Sequence, residues 1–316
     1  MKNVGHMIYL ARKKAGITQR ELAQGLCTSK YIYLIEKCAR QPSIDMLEAM
    51  GERIGIDFFE YLPYVSCHDP FTVKMNVDLF NHLRAKRAFD QLTESTLAAA
   101  QHPDFLAFPW NAEIVYNEAL VKMYQLDDFE GAKAHSFQYL NRHDDPDSFY
   151  QRKYLRLHPS IIRLYNLIAV CDIHLDLFEE AQIRFRFLRD YLKQRKDFSY
   201  YSAIAISVNI NYCQTIGKVD PEKQLEAVNE LIELQVRSNK LDRLYLSYHI
   251  KGSALLALGD ENMAITYFQR AFFAGMALSE WNSLKNLLQE KDVLSMVEKG
   301  IFKVDLISLV ETELNR

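Results

Sequence analysis

A short motif that ends on an alanine recurs four times along the chain, at Ala132, Ala181, Ala227 and Ala264. The last copy is the most complete and combines small residues with two larger apolar ones: Gly252, Leu255, Gly259, Ala264, Phe268 and Ala271. Small side chains at these spacings let two antiparallel helices approach closely, and Phe268 fills the space beside them. Because one helix pair cannot bury its apolar face alone, the recurring pair predicts a stack of helices around a continuous core.

The composition agrees with a chain that is helical throughout. Glycine occurs 11 times and proline 8 times in 316 residues, well below the usual fractions of about 7% and 5%. So few turn-forming residues argue against a β-sandwich, a barrel or a glycine-rich nucleotide-binding enzyme. We therefore predict an all-α fold. It has three parts: a five-helix domain over residues 1–62, a linker with two prolines over residues 63–70, and a helical solenoid over residues 71–316, for which the resemblance to tetratricopeptide repeats implies a right-handed course.

Basic residues are concentrated at the beginning of the chain. Residues 1–40 contain eight lysines and arginines but only two glutamates, whereas residues 41–62 contain five acidic residues and one arginine. Such an asymmetry suggests a polyanionic partner that binds one end of the protein only. The charge distribution alone fits a solvated basic helix face equally well.

The first sixty residues have the pattern of five short helices. A first helix is predicted over residues 4–14, and Thr18-Gln19-Arg20-Glu21 forms a capping box that begins the second. Thr28 is predicted to cap a third helix over residues 29–37, and residues 58–62 to form the fifth. Pro42-Ser43 begins the fourth helix, whose predicted inward residues are Ile44, Leu47, Met50 and Ile54.

This layout resembles the helix-turn-helix domain of phage-repressor-like (XRE-type) transcription regulators. The resemblance is carried by Thr18-Gln19, Glu21-Leu22-Ala23, Ile35-Glu36 and Gln41-Pro42-Ser43. It implies that the third helix enters the DNA major groove and that the start of the second helix holds a phosphate. Lysine can bond guanine, and tyrosine can contact a thymine methyl group or a phosphate. The predicted DNA-binding residues are Thr18, Gln19, Ser29, Lys30, Tyr31, Tyr33, Lys37 and Arg40.

Four residues in or next to the third helix either have an alternative role or depart from the common repressor pattern. Tyr31 could pack in the core rather than bind DNA, and Glu36 is expected to pair with an arginine of the first helix. Cys38 stands where a glycine often ends the recognition helix, and Leu34 replaces a frequent arginine. These two departures leave the preferred DNA half-site open.

The recurring motif resembles a tetratricopeptide repeat, although its alanines are spaced more widely than the usual ~34 residues. Counting back from the alanines places Asn117, Asn166 and His249 at one position, which Asn209 joins if three residues are inserted. A column of amides could bind an extended peptide backbone, since each asparagine offers a donor and an acceptor. The amides could instead satisfy one another or the local backbone. Further residues predicted on the same surface are Arg163, which would suit a peptide carboxylate, Asn211, Tyr124 and His174.

A phage-repressor-like domain followed by about five such repeats is similar to the Rgg/PlcR/PrgX (RRNPP) group of peptide-pheromone receptors. The resemblance implies a cytoplasmic homodimer that binds double-stranded operator DNA at two half-sites. It also implies that groove asparagines hold a short signalling peptide, with Asn166 and Asn209 first and Asn117 next. Peptide binding would shift the population between arrangements of the repeats, as in quorum sensing.

A constitutive or phage-type repressor is the main alternative, with repeats that bind a protein such as an anti-repressor instead of a peptide. Such a protein needs no peptide groove, so the accessibility of the asparagines discriminates between the two interpretations.

An enzyme is disfavoured. The clusters His68-Asp69 and His143-Asp144-Asp145 lie in predicted loops without a nearby nucleophile or ligand spacing. We therefore expect no catalytic residue, no metal site and no cofactor. The five cysteines form no C-x-x-C pair, which is typical of reduced thiols. No apolar stretch is long enough to span a membrane, and the first residues lack the pattern of a secretion signal.

Overall fold

The computed structural model describes residues 3–143, 157–195, 198–290, 293, 310 and 312–314. Over these ranges the chain consists of helices and their connections, without a β-strand, which confirms the predicted all-α class. No helix in the same ranges is both long and apolar enough to cross a lipid bilayer. The chain forms two compact units, Met1–Asp128 and Phe129–Arg316.

The first unit begins with four α-helices and one 3-10 helix. They are α1 (Val4–Lys14), α2 (Gln19–Ala23), α3 (Ser29–Glu36), α4 (Ile44–Ile54) and the 3-10 helix Phe58–Tyr64. The predicted capping box is present, because the Thr18 hydroxyl accepts from the Glu21 backbone N–H and the Glu21 side chain accepts from Thr18. The core of these helices is formed by apolar residues from every one of them: Met7, Ile8, Ala11, Leu22, Ala23, Ile32, Ile35, Leu47, Met50 and Phe58.

Two details of these helices differ from the sequence prediction. The fifth helix is a 3-10 helix that continues to Tyr64, beyond the predicted end at residue 62. Ile44 was expected to face the core, but its side chain is 70% exposed. Ser43 caps α4 and accepts from the Met46 backbone N–H, so Ile44 is the first helical residue and lies at the edge of the domain.

The first unit continues with α5 (Pro70–Ala85), α6 (Phe89–Ala99), the short 3-10 helix Pro103–Phe105 and α7 (Asn111–Gln125). Asp69 caps α5 by accepting from the backbone N–H groups of Phe71 and Thr72, and Pro70 occupies the first turn, where it breaks no hydrogen bond. The core of this part is again apolar: Cys67, Val73, Val77, Phe80, Leu83, Leu92, Ala99, Phe105, Trp110 and Ile114.

The second unit contains α8 (Phe129–His143), α9 (Pro159–His174), α10 (Phe178–Lys193), α11 (Phe198–Ile216), α12 (Pro221–Ser238), α13 (Leu244–Ala257), α14 (Glu261–Ala277) and α15 (Trp281–Leu288). Consecutive helices pack together from α9 to α15, and the first helices of successive pairs also touch, α9 with α11 and α11 with α13. This is the arrangement expected of stacked helix pairs.

The repeat alanines lie where helices meet. Ala132, Ala181 and Ala264 have no exposed surface, and Ala227 is 4% exposed. A Cβ atom on Gly252 would come within 2.9 Å of the Phe268 ring. The close approach of α13 and α14 that the motif predicts is therefore present.

Candidate DNA- and peptide-binding surfaces

Helix α3 is the best-defined surface element of the first unit. The Thr28 hydroxyl caps its start by accepting from the Tyr31 backbone N–H at 3.2 Å. Ile32 and Ile35 are fully buried and fix its inner face. After the helix the chain turns at Cys38, which takes a left-handed conformation with φ 62°.

The outer face of α3 carries most of the predicted DNA-binding residues. Ser29, Lys30, Tyr33 and Lys37 are exposed, and Arg40 is exposed just beyond the helix end. Tyr33 keeps 47% of its surface in solvent, and the Lys37 ammonium lies 6.0 Å from the centre of its ring. The structure therefore brings two basic residues and a phenol onto one open face, with Arg40 close in sequence.

Tyr31 differs from the other members of the predicted set. It is half-buried, packs against the core of α1–α4, and its hydroxyl donates to the Gln41 carbonyl at 3.4 Å. The structure therefore gives Tyr31 the packing position that the sequence left open.

Thr18 and Gln19 are held by the protein itself. Thr18 is exposed, but its hydroxyl and backbone N–H are both used in the capping box, and these hydrogen bonds lower the pKa of Glu21. Gln19 donates from Nε2 to Glu36 Oε2 at 2.7 Å. The capping box thus already uses the Thr18 hydroxyl and the N–H groups of Thr18 and Glu21 at the helix start where the sequence predicts a phosphate, and the Gln19 amide is bonded to Glu36.

Glu36 joins three helices. It accepts from Arg12 at 2.5 Å and 2.9 Å and from Gln19, and the side chains of Arg12 and Glu36 are 7% and 4% exposed. The predicted ion pair with a first-helix arginine is confirmed. The hydrogen bond to Glu36 raises the pKa of Arg12, which therefore stays charged.

Sequence reasoning missed Arg53 on α4. Its Nη1 donates to the carbonyl oxygens of Glu21, Leu22 and Gln24, at 3.3 Å, 2.8 Å and 2.5 Å. These carbonyls lie at the end of α2, where few backbone N–H groups remain to bond them; Glu21 O also accepts from the Gln24 N–H at 3.4 Å. Arg53 thus fixes the turn between α2 and α3, but no local pattern around residue 53 signals this distant contact.

In the second unit, a hydrogen bond between two asparagine side chains connects α9 and α11. Asn211 on α11 donates from Nδ2 to Asn166 Oδ1 on α9 at 3.1 Å. Asn166 is 7% exposed and Asn211 is half-buried. Arg163, one turn before Asn166 on α9, is half-buried as well. Asn211, predicted only as a secondary residue, is the one that the structure brings to Asn166.

Asn209 lies elsewhere on α11. Its Oδ1 accepts from Arg189 Nε of α10 at 2.8 Å, and its Nδ2 donates to the Ala205 carbonyl at 2.8 Å. It is 8% exposed. The position beside Asn166 that the sequence register assigned to Asn209 is therefore taken by Asn211, because a residue two places further along α11 faces α9 rather than α10.

Asn117 is fully buried in the first unit. Its Oδ1 accepts from Arg84 Nε at 2.7 Å and its Nδ2 donates to Thr96 Oγ1 at 2.8 Å. Arg84 in turn pairs with Glu113 at 2.6 Å. Asn117 thus satisfies internal groups of α5 and α6, which contradicts the expectation that it faces an open groove.

The remaining residues of the predicted peptide surface pack against aromatic side chains of the protein. His249 is 6% exposed, lies 5.3 Å from the Phe268 ring and has Nε2 at 3.2 Å from a Glu290 carboxylate oxygen; burial lowers its pKa to about 4. His174 stacks on Phe129 at 4.1 Å, and Tyr124 on Phe89 at 5.6 Å.

Of the two His/Asp clusters that the sequence places in loops, the structure describes one fully and the other only in part. Asp69 is a helix cap, and the His68 backbone N–H donates to Asp104 at 2.7 Å. Asp144 and Asp145 lie outside the described residues, as does the side chain of His143. Among the residues whose positions are described, no three His, Cys, Asp or Glu side chains come together as a metal site.

Comparison with known proteins decides the nature of the first domain. Residues 8–61 match the family model described as Helix-turn-helix, HTH_3. These residues are a helix-turn-helix domain. Helix α3 is the second helix of the motif, the position at which such domains have their recognition helix, and the exposed Lys30, Tyr33 and Lys37 lie on it. The comparison with curated proteins finds no match.

Solved structures share the fold of nearly the whole chain. PlcR of Bacillus thuringiensis, in complex with the peptide PapR7 and DNA, is 19% identical with a TM-score of 0.69 and covers 92% of this chain and 100% of PlcR. ComR from S. thermophilus, in complex with DNA and its signalling peptide ComS, is 15% identical with a TM-score of 0.51, over 88% of this chain and 94% of ComR. A variant of the SHP pheromone receptor Rgg2 of Streptococcus dysgalactiae is 11% identical with a TM-score of 0.52, over 96% of this chain and all of Rgg2. The helix-turn-helix domain is thus joined to a helical repeat region of the same fold as in these regulators.

Proposed function

We propose that the protein is a sequence-specific transcription regulator that binds operator DNA as a homodimer and responds to a short signalling peptide. The exposed row Lys30, Tyr33 and Lys37 on α3 supports the DNA-binding part. The similarity in fold to PlcR and ComR, whose structures contain DNA and a peptide, supports the peptide-binding part. Peptide binding would favour one arrangement of the repeats over another, and the DNA affinity of the dimer would change with it.

The open column of asparagines predicted from the sequence is absent, since Asn117, Asn166 and Asn209 are at most 8% exposed. The peptide proposal therefore rests on one observation, the pair of Asn166 with the half-buried Asn211. One hydrogen bond joins the two side chains, and within the described ranges the Asn166 Nδ2 and the Asn211 Oδ1 make no other hydrogen bond. A donor and an acceptor are thus left side by side, which matches the C=O and N–H of an extended peptide. Helix α11 carries no charged residue over 198–216, and on α9 the half-buried Arg163 lies one turn before Asn166.

The experiment is isothermal calorimetry with synthetic peptides, taken from the end of any small open reading frame that is found next to the gene. Asn166→Ala and Asn211→Ala should each weaken the binding of a peptide that the wild type binds by about tenfold, since each removes one hydrogen bond to the ligand. Helical content and DNA binding without peptide should stay unchanged.

Asn209→Ala is the matched control, since it removes the same side chain from the same helix. The amide of Asn209 is used by Arg189 and Ala205, so we expect a loss of stability without a comparable loss of peptide affinity. Unchanged affinity in both Asn166→Ala and Asn211→Ala would refute the proposed groove and favour a protein partner for the repeats.

Two lysines of α3 test the DNA-binding part. Lys30→Ala should reduce the discrimination between operator and random DNA by about 1–3 kcal/mol, because Lys30 lies in the N-terminal part of the recognition helix. Lys37→Ala should weaken binding to all sequences and flatten the salt dependence. Equal losses on operator and random DNA in both variants would contradict these assignments.

A further inference from the structure

A side chain in the first turn of α5 packs into the core of the preceding domain. Phe71 belongs to α5, yet it packs against the core of the helix-turn-helix domain. Its ring centre lies 4.7 Å from that of Tyr61, and the Lys14 ammonium lies 5.8 Å from its ring centre. The first turn of α5 therefore contributes to the packing of the preceding domain.

Tyr64 packs in the opposite direction, into the core of the helices that follow it. It is the last residue of the 3-10 helix, yet it packs against the core of α5–α7. Its ring stacks on Trp110 with centres 4.8 Å apart and an angle of 19° between the planes. Trp110 is 6% exposed, so the stacking forms part of the interior.

Polar contacts hold the chain between the two rings. The backbone N–H groups of His68 and Asp69 donate to the Asp104 carboxylate at 2.7 Å and 2.9 Å. The His6 ring nitrogen Nε2 lies 3.1 Å from the His68 carbonyl, which joins α1 to the same segment. Residues 63–70, expected from the two prolines to be a linker, are thus bonded on both sides.

We propose that the helix-turn-helix domain and α5–α7 move as one rigid body, in which Tyr64 and Phe71 are positioning residues for the recognition helix. Each part buries an aromatic ring of the other, so a rotation at residues 63–70 would expose both rings to water. The direction in which α3 points is then set by α5–α7. A change that reaches α5–α7 would move the recognition helix without a hinge between them.

Hydrogen–deuterium exchange of the full-length protein, read by mass spectrometry, tests the rigid body. In the wild type we expect the amides of residues 65–69 to exchange slowly. Tyr64→Ala should speed their exchange by about tenfold, because the loss of the stacking ring weakens the contact with Trp110. Tyr64→Phe keeps the ring and should keep the protection. Unchanged exchange in α1 and α7 shows that both parts remain folded.

Phe59→Ala is the matched control on the same 3-10 helix, since Phe59 is 39% exposed and its loss should leave residues 65–69 protected. The proposal is overturned if these residues exchange in the wild type as fast as an unstructured peptide. It is equally overturned if Tyr64→Ala leaves their exchange unchanged while α1 and α7 stay folded.

A second measurement rests on the proposed function and concerns DNA. Binding to a single half-site should be the same for the wild type and Tyr64→Ala, because the recognition face is unchanged. On DNA with two half-sites, the wild type should bind best at one distance between them. Tyr64→Ala should reduce the preference for this distance over others by about tenfold. An unchanged spacing preference would refute the positioning role. Failure of the wild type to bind a half-site would refute the proposed function instead, and the exchange experiment would still decide the rigid body.

Discussion

At the scale of single residues, Cys38 has the least favourable backbone conformation near the recognition helix. Its φ of 62° lies in the left-handed region, which costs a residue with a side chain about 1–2 kcal/mol. The conformation is held by hydrogen bonds that end α3, from Cys38 N–H to the Ile35 carbonyl and from Ala39 N–H to the Leu34 carbonyl, both at 2.8 Å. The thiol lies 2.7 Å from Asn3 Oδ1, which gives back part of the cost.

Cys38→Gly should therefore raise the free energy of unfolding of the domain by about 0.5–1 kcal/mol, since glycine adopts positive φ without strain but gains entropy in the unfolded chain. Cys38→Ala keeps the strained backbone and loses the thiol contact, so it should not be stabilising. Urea unfolding of both variants measures the difference. A glycine variant no more stable than the alanine variant would show that the backbone strain is offset elsewhere.

His249 predicts a dependence of stability on pH. Burial lowers its pKa from 6.5 to about 4, so between these values the unfolded chain binds a proton that the folded protein does not. Stability should then fall as the pH drops from 6.5 towards 4, by up to about 3 kcal/mol. The groups that face the ring are the Phe268 side chain and the Glu290 carboxylate, and the carboxylate opposes part of this effect.

Urea unfolding at pH 7 and pH 5 checks this prediction. His249→Gln should lose less stability on acidification than the wild type. His82→Gln, which removes an exposed histidine of α5, should follow the wild type. Identical pH dependence in all three proteins would argue against the buried neutral histidine.

At the scale of helices, Glu36 connects α1, α2 and α3 through Arg12 and Gln19. Removing one partner of a buried ion pair leaves the other charge unpaired, which costs about 3–5 kcal/mol. Glu36→Gln should therefore speed amide exchange in α1–α3 strongly and weaken DNA binding. Glu48→Gln, which removes an exposed carboxylate of α4, is the control. If the two variants exchange alike, the ion pair contributes little to the packing of these helices.

The close contact of α13 and α14 gives a second prediction at this scale. Gly252→Ala places a methyl group 2.9 Å from the Phe268 ring, so overpacking of about 1–3 kcal/mol should exceed the gain of about 1 kcal/mol in helix propensity. A smaller residue at the partner position should relieve the clash. The double variant Gly252→Ala with Phe268→Leu should thus be more stable than the two single changes predict, and simple additivity would contradict the contact.

Features that depend on residues close together in sequence were predictable. Most contacts between residues far apart in sequence were not. The capping box followed from the spacing of Thr18 and Glu21, which are three residues apart. The Arg12–Glu36 pair is a distant contact, and it was predictable because the domain resembles a known fold. Asn209 and Asn211 lie on one helix and differ by two residues, so which of them meets Asn166 depends on the rotation of α11 against α9. The contacts of Tyr64 with Trp110 and of Phe71 with Tyr61 are tertiary contacts that no spacing in the sequence predicts.

At the scale of the whole molecule, the two proposed binding surfaces belong to different compact units. The recognition helix lies within Met1–Asp128, and the Asn166–Asn211 pair lies within Phe129–Arg316. If a peptide binds at this pair as proposed, its effect would have to reach α3 from a different compact unit. In the rigid body proposed for the first unit, any movement of α5–α7 also moves α3, so no further conformational step is needed between them.

The proposed homodimer predicts how strongly DNA binding depends on salt concentration. Lys37 and Arg40 are the exposed basic residues expected to contact phosphates, and each neutralised phosphate contributes about −0.9 to the slope of log affinity against log salt concentration. One half-site should then give a slope of about −2, and an operator with two half-sites about −4. Fluorescence anisotropy over a series of salt concentrations measures both slopes. Lys37→Ala should reduce the operator slope by about two, because both subunits lose one contact, whereas a reduction by about one would mean that a single subunit binds.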